Sequence, residues 1–363
     1  MLGSTGVVGR RALQVIDHLK EEIQIVALAA RGNQLDLLEK QIQQFRPQFV
    51  VVFDPIAASA LEKRVSCPVL VGLDGLFATV EAADISLFAM SGTEGIAAAI
   101  RAAQLQRILA VASKEILIVA GELLKGANIL PLDSEHSSLF QCIEGEEGIA
   151  KVYLTASGGP FLHWSEEQLG QVTPEQALRH PVWSMGAKTA VDCSTLMNKG
   201  LEMIEAKCLF DLSADQIEAL IHPEGVVQSL VAFQDGYIRA QAAAPDMAHS
   251  IQYALQYPQR KPGIGEKLSL DQPFCWNFFP PDRKKFRCFQ LAEEVMKRGG
   301  SYIPFLNGAN EVLVQRFLQG KISWSQIGEK LEQLISSHVG AAVLDLEAIF
   351  YIEKESKRLA WEA

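Results

Sequence analysis

Short apolar runs alternate with segments of helical spacing over the first third of the chain. Residues 23–30 (IQIVALAA), 49–53 (FVVVF), 85–90 (ISLFAM) and 108–112 (ILAVA) are stretches of strand length. Between them, positions such as Leu13, Ile16 and Leu19 recur at the interval that lines one face of a helix. Runs that are apolar throughout, rather than alternating, belong to strands covered on both faces, as in a parallel sheet flanked by helices. The pattern predicts an α/β fold whose N-terminal part, residues 1–130, is a Rossmann-like doubly wound domain.

The pattern changes after residue 130. LVAFQDGYIRAQAA places Asp235-Gly236 between two β-prone runs, a hairpin signature, while residues 192–210 are helical in spacing. Residues 131–256 therefore read as a central α+β catalytic domain. Pro258, Pro262, Gly263, Gly265 and Pro273 punctuate a stretch without periodicity, which makes 257–282 a linker. Residues 283–363 read as a C-terminal helical domain. There Ser323 and Gln326 form a capping box ahead of Ile327, Leu331, Leu334 and Ile335 on one face.

Composition narrows the function classes. With 363 residues and 48% hydrophobic positions the chain can bury a large core, which excludes disorder. A balance of 33 Lys+Arg against 43 Asp+Glu, net −10, repels polyanions, so neither nucleic acid nor an anionic membrane is an expected partner. No apolar stretch reaches the ~18 residues that a membrane-spanning helix needs. The N-terminus, MLGSTGVVGRR, resembles neither a secretory signal nor a transit peptide. Six scattered cysteines without a CxxC pair argue against structural zinc, and free thiols suit a reducing cytoplasm.

Several constellations carry chemistry. Gly3, Gly6 and Gly9 (GSTGVVG) open a helix, where glycines allow close approach of a pyrophosphate and the helix N-terminus stabilises its charge. The spacing is GxxGxxG, so the signal rests on the strand–helix alternation that follows. Only Met1 and Leu2 precede Gly3, so either the first strand is nearly absent or an upstream segment is missing, and the second is the expectation. At the end of the next strand Ala30-Arg31-Gly32-Asn33 offers a cation where an NAD-binding protein carries an acid. Arg31 suits the 2′-phosphate of NADP; the alternative is a solvated loop arginine.

In LDSEH an extended backbone would point Asp133 and Glu135 to one face, where two carboxylates call for a cation or a proton. A polar strand end or a helix cap is the competing explanation. In STLMNKGLEMIEA, Ser194, Asn198 and Glu202 are spaced to stack on one helical face beside Lys199. This is either a solvated face or a set of phosphate donors next to a metal-binding acid. Three carboxylates without a Cys or His cluster favour Mg²⁺ or Mn²⁺. Ser157-Gly158-Gly159-Pro160 is an ordinary turn or an anion nest. His180 lies in HPVWSMG with Trp183, a segment able to close over a ligand, although a loop histidine can also be plain surface. Lys114, in ASKE, follows the ILAVA strand, where open α/β sheets bind ligands or simply start a helix.

Taken in order, GSTG, LDSEH, SGGPF, HPVWSMG, STLMNKGLEMIEA and LNGANE resemble the 1-deoxy-D-xylulose 5-phosphate reductoisomerase family. The resemblance implies NADPH, Mg²⁺ or Mn²⁺, a small phosphorylated sugar substrate and a homodimer. It implies rearrangement and reduction of 1-deoxy-D-xylulose 5-phosphate to 2-C-methyl-D-erythritol 4-phosphate, a step in isoprenoid precursor synthesis. Asp133, Glu135 and Glu202 would hold the metal, and Lys114, Glu135 and Glu202 would be catalytic. Ser134, Ser157, His180, Ser194, Asn198 and Lys199 would join Lys114, Glu135 and Glu202 around the substrate. Thr5, Gly6, Val7, Val8, Arg31, Gly32, Asn33, Ser113, Glu115 and Gly186 would contact NADPH. Two departures stand out: Ser113 replaces the family's usual Asn, and Arg31-Gly32-Asn33 replaces a common Gly-Lys-Asn. The competing readings are another GxxGxxG dehydrogenase of the semialdehyde type, with Cys142 or Cys193 as nucleophile, and a non-catalytic NADP sensor.

Overall fold

The computed structural model describes residues 1–183, 185–271, 273–343 and 345–363. They divide into two compact units. Met1–Ile116, Leu124–Ser137 and Asp246–Glu266 form the first; Leu117–Leu123, Ser138–Pro245 and Lys267–Ala363 form the second.

In the first unit, β1 (Ala27–Ala30), β2 (Phe49–Val52) and β3 (Val69–Val71) pair in parallel, as do β4 (Ile85–Phe88), β5 (Ile108–Val111) and β6 (Ile129–Pro131). Leu2 joins the two halves through parallel bridges to Ala29 and Phe88. Its N–H donates to Leu87 O at 2.8 Å, and its carbonyl accepts from Ala89 N at 2.8 Å. The order is therefore β3-β2-β1-Leu2-β4-β5-β6, a doubly wound sheet in which Leu2 bridges the two halves. Leu28, Val50, Val51, Val52, Leu109, Ala110 and Val111 have no exposed surface, as their continuous hydrophobicity requires.

The helix Val7–His18 buries Ala12, Leu13, Val15 and Ile16. The helix Ala248–Gln256, distant in sequence, belongs to the same unit. Asp246 fastens it: one carboxylate oxygen accepts from Ala248 N at 2.9 Å and from Arg11 Nε at 2.9 Å. Ser250 Oγ donates to Leu132 O at 2.7 Å.

The second unit holds a sheet of order β10-β9-β7-β8. Here β7 (Ile149–Ala156) runs parallel to β8 (Ile217–Ile221) and antiparallel to β9 (Val227–Phe233), which pairs with β10 (Ile238–Ala242). The Asp235-Gly236 hairpin forms as predicted: Gly236 takes a φ of 91°, and Tyr237 N donates to Asp235 Oδ1 at 3.0 Å. Part of the sequence read as a linker is pinned, since Phe279 exchanges two backbone hydrogen bonds with Ile221 (2.8 and 2.9 Å). Four helices, Arg287–Arg298, Tyr302–Leu318, Trp324–Ser337 and Leu346–Glu362, make up the C-terminal part. The Ser323–Gln326 capping box forms, and Ile327, Leu331, Leu334 and Ile335 are all buried. Among the described residues no helix is long and apolar enough to cross a membrane. Among the described residues no two cysteines form a disulfide.

Candidate active site

The glycine loop is built by close backbone packing. Gly3 has a φ of 91°, and a Cβ there would lie 2.4 Å from Ala89 O. A Cβ on Gly9 would lie 2.1 Å from Gly3 O, so the loop folds directly onto the first turn of the helix Val7–His18. Gly6 precedes that helix in an extended conformation, and Val7 is half exposed. The first-turn N–H groups therefore present the positive end of a helix next to the middle of the sheet, where Leu2 lies between β1 and β4. Thr5 is buried beneath it.

Arg31 follows β1 directly. Its carbonyl accepts from Asp54 N at 3.1 Å, and Gly32, with a φ of 110°, leaves no room for a Cβ beside Val52 and Ala57. The guanidinium reaches across to the loop after β4. There Nη2 donates to both Glu94 carboxylate oxygens (2.8 and 2.7 Å) and to Ser91 O (2.9 Å). Asn33 is exposed beside it. At the end of β5, Ser113 is buried with its hydroxyl donating to Met90 O, and Glu115 is buried in the first turn of the helix Lys114–Ala120.

Lys114 Nζ lies 3.1 Å from Asp133 Oδ2, a pairing that spacing alone does not reveal. The expectation of an extended LDSEH segment is corrected. β6 ends at Pro131 and the helix Ser134–Ile143 starts immediately. Asp133 immediately precedes that helix, its side chain accepting from Ser134 N at 3.0 Å, and Glu135 stands in its first turn. The two carboxylates still come together, with oxygens within 4.8 Å of each other, because a helix start folds back on the residue before it. Ser134 Oγ donates to Glu135.

In the second unit the Ser157–Gly158–Gly159 loop follows β7. Gly158 and Gly159 both have positive φ (87° and 67°), and a Cβ on Gly159 would meet Cys193 O at 2.6 Å. Ser157 Oγ accepts from Gly159 N at 3.2 Å and meets His180 Nε2 at 3.1 Å. His180 Nδ1 accepts backbone N–H groups of Trp183 (2.8 Å) and Val182 (3.2 Å), so in the neutral ring the proton sits on Nε2. Burial, reinforced by the charge of Lys199, pushes the His180 pKa down to about 4.

The folded-state pKa of His180 thus lies below its ordinary 6.5. Its stabilising contribution is whole above pH 6.5 and is lost as pH falls through about 4. We expect His180→Asn, whose amide oxygen can replace Nδ1 as acceptor, to flatten the dependence of unfolding free energy on pH across that window. Urea denaturation at pH 7 and pH 5 checks this, and equal slopes in both proteins would remove His180 as the titrating group.

The helix expected to align Ser194, Asn198 and Glu202 is broken. One helix spans Ala187–Ser194 and the next Met197–Phe210, with Leu196 left-handed at a φ of 56°. Ser194 turns inward: it is fully buried, Oγ donates to Val191 O at 2.7 Å, and it accepts from Trp324 Nε1 at 3.0 Å. The expectation that it stacks with Asn198 and Glu202 on one continuous helical face is corrected. Asn198 and Lys199 keep the expected relation, each donating to one oxygen of Glu202. Lys199 and Glu202 are both buried.

Gly186 precedes the helix Ala187–Ser194 in an extended conformation. Ser184, within the HPVWSMG segment, lies outside the described residues. The sequence reading missed Asp192, which is buried and binds Lys188 Nζ (2.7 Å) and Asn310 Nδ2 (2.8 Å). It ties the LNGANE helix to the one that leads into Leu196; a buried acid inside an apolar helical pattern was the available signal. Cys142, one candidate nucleophile of the semialdehyde reading, is buried in its helix.

The doubly wound sheet, its glycine loop, the cation after β1 and the cluster of carboxylates define an α/β oxidoreductase of the NADP-dependent kind. Comparison with known proteins gives the family. Residues 1–121 match the model for 1-deoxy-D-xylulose 5-phosphate reductoisomerase, and residues 129–210 and 243–359 match its two C-terminal domain models. A Protochlamydia amoebophila protein of that name is 46% identical over 97% of this chain and 94% of its own length. One from Chlamydia caviae is 41% identical over 100% of this chain and 98% of its own. A crystal structure of DOX-P reductoisomerase in complex with NADPH, fosmidomycin and magnesium superposes with a TM-score of 0.93 at 34% identity, covering 99% of this chain and 96% of that one. The Zymomonas mobilis enzyme in complex with NADPH gives 0.91 at 33% identity, with the same coverage. The chain belongs to the 1-deoxy-D-xylulose 5-phosphate reductoisomerase family, as the sequence motifs imply.

Proposed function

We propose that this chain rearranges and reduces 1-deoxy-D-xylulose 5-phosphate to 2-C-methyl-D-erythritol 4-phosphate with NADPH and a divalent metal. The observation that carries the reading is a set of three carboxylates in a chain that matches a family member over 97% of its own length and 94% of the relative's. Asp133 and Glu135 converge at one helix start, and buried Glu202 is bound by Lys199 and Asn198. The carboxylates of Asp133, Glu135 and Glu202 suit Mg²⁺ or Mn²⁺, and in our reading they hold it, with His136 Nδ1 3.9 Å from Asp133 Oδ2 beside them. Bound there, the metal supplies Lewis-acid polarisation of the substrate's ketone, and NADPH supplies the hydride.

Residues 1–130 would bind the cofactor through the loop Thr5, Gly6, Val7 and Val8, through Arg31, Gly32 and Asn33, and through Ser113, Glu115 and Gly186 from further along the chain. Residues 131–256 would bind substrate, with 257–282 a linker and 283–363 a helical support. Ser134, Ser157, His180, Asn198 and Lys199 would orient the substrate and its phosphate, and Lys114 would stand near the reacting carbons. Ser194, at the end of its own helix, would join them. Ser157 keeps its own proton to donate, because its contact with His180 uses the imidazole Nε2–H. The Trp183 segment, shaped by His180, would exclude water from the reacting fragments.

The reading extends to a cytoplasmic homodimer. Six cysteines with no disulfide among the described residues suit a reducing compartment. β10 is a sheet edge beside exposed Tyr237 and Ile238, which a second copy could cover. The test follows NADPH absorbance on mixing the protein with 1-deoxy-D-xylulose 5-phosphate and Mg²⁺ or Mn²⁺. We expect EDTA-sensitive oxidation, a preference over NADH and the methylerythritol phosphate product. Tight NADPH binding without turnover would overturn the reading in favour of a sensor.

A further inference from the structure

We propose that Glu94 sets cofactor affinity: its carboxylate holds Arg31 while the site is free of cofactor and competes with the 2′-phosphate of NADPH for that guanidinium. The inference rests on the reading of Arg31 as the 2′-phosphate ligand. Arg31 has a fixed backbone, anchored by Asp54 N and by the crowded turn at Gly32. All three of its side-chain hydrogen bonds leave from Nη2, two to Glu94 and one to Ser91 O. Glu94 stands in the loop between β4 and the helix Ile96–Gln104.

The pair is seated against that loop. A Cβ at Gly92 would come within 3.5 Å of Glu94 Oε2 and 3.6 Å of Arg31 Nη2. It is also open to solvent, with side-chain exposures of 52% for Arg31 and 35% for Glu94. An exposed pair is weak enough for a ligand to displace. A 2′-phosphate carries close to two negative charges, so a carboxylate on the same guanidinium opposes it. NADH carries no such phosphate and meets no such opposition. Glu94 therefore weakens NADPH and NADP⁺ selectively, which favours exchange of the oxidised cofactor after each turnover.

The experiment titrates the full chain with NADPH or NADH, without substrate, and reads cofactor fluorescence. Glu94→Gln keeps the shape and an acceptor oxygen but removes the charge. We expect its Kd for NADPH to fall about two- to fivefold, with NADH unchanged, and the gain to vanish in an Arg31→Gln background. If Arg31→Gln weakens NADPH while Glu94→Gln leaves it unchanged or weaker, the competition is overturned and the Arg31 assignment stands. If Glu94→Gln moves NADPH and NADH equally, the residue acts through loop shape and the competition is likewise overturned. If Arg31→Gln leaves the preference between the two cofactors unchanged, the Arg31 assignment falls and this inference falls with it.

Discussion

Glu202→Gln is expected to lower kcat/KM on the order of 10³-fold, the loss that follows when a Lewis acid worth several kcal/mol loses a charged ligand. NADPH affinity should hold, because Glu202 is not among the residues read as contacting the cofactor. The variant also breaks a buried ion pair with Lys199, a change that costs about 3–5 kcal/mol in a protein interior. Loss of activity must therefore be separated from loss of fold. Circular dichroism and Mn²⁺ binding by electron paramagnetic resonance do so: a folded protein with weakened Mn²⁺ binding supports the ligand role. Glu202→Asp is the second variant, since it keeps the charge for Lys199 and withdraws the carboxylate by one methylene. Wild-type Mn²⁺ affinity in a folded Glu202→Gln protein would remove Glu202 from the metal site.

Much of this architecture is legible in the chain because its signals are local. Buried parallel strands announce themselves as apolar runs, and β1, β2, β4 and β5 fall where those runs lie. The Asp235-Gly236 turn and the Ser323–Gln326 box need only their own neighbours. What periodicity conceals is a break maintained from outside. Leu196 adopts a left-handed conformation that its branched side chain disfavours, so local preference continues the helix through it and misplaces Ser194. The Trp324 indole that meets Ser194 comes from a separate C-terminal helix, a partner no local spacing announces. The same holds for Lys114 with Asp133 and Arg31 with Glu94: residue types mark candidates, but the sheet topology decides which charges meet.

At the glycine loop the topology rests on close backbone contacts, and Gly9→Ala should expose it. The added methyl would stand 2.1 Å from Gly3 O and 2.9 Å from Gly3 C and Ser4 C. All three are backbone atoms, so no side chain can rotate away. Displacing Gly3 also pulls on Leu2, the residue that bridges β1 to β4, so strain at the loop reaches both halves of the sheet. We expect a loss of ~3 kcal/mol or more, the upper range for overpacking. NADPH affinity should fall at least about tenfold, because the backbone N–H groups that would meet the pyrophosphate move with the loop. Gly6→Ala supplies the contrast. Gly6 has a φ of −71°, and its added Cβ would rest 3.4 Å from Gly3 O, an ordinary contact. That variant should keep the wild-type melting temperature and lose affinity only where the methyl obstructs the ligand. Thermal unfolding and cofactor fluorescence, run on both variants, separate the two roles: the ninth residue shapes the loop, while the sixth faces what the loop binds. A Gly9→Ala protein with unchanged melting and unchanged NADPH affinity would refute the close-packed loop.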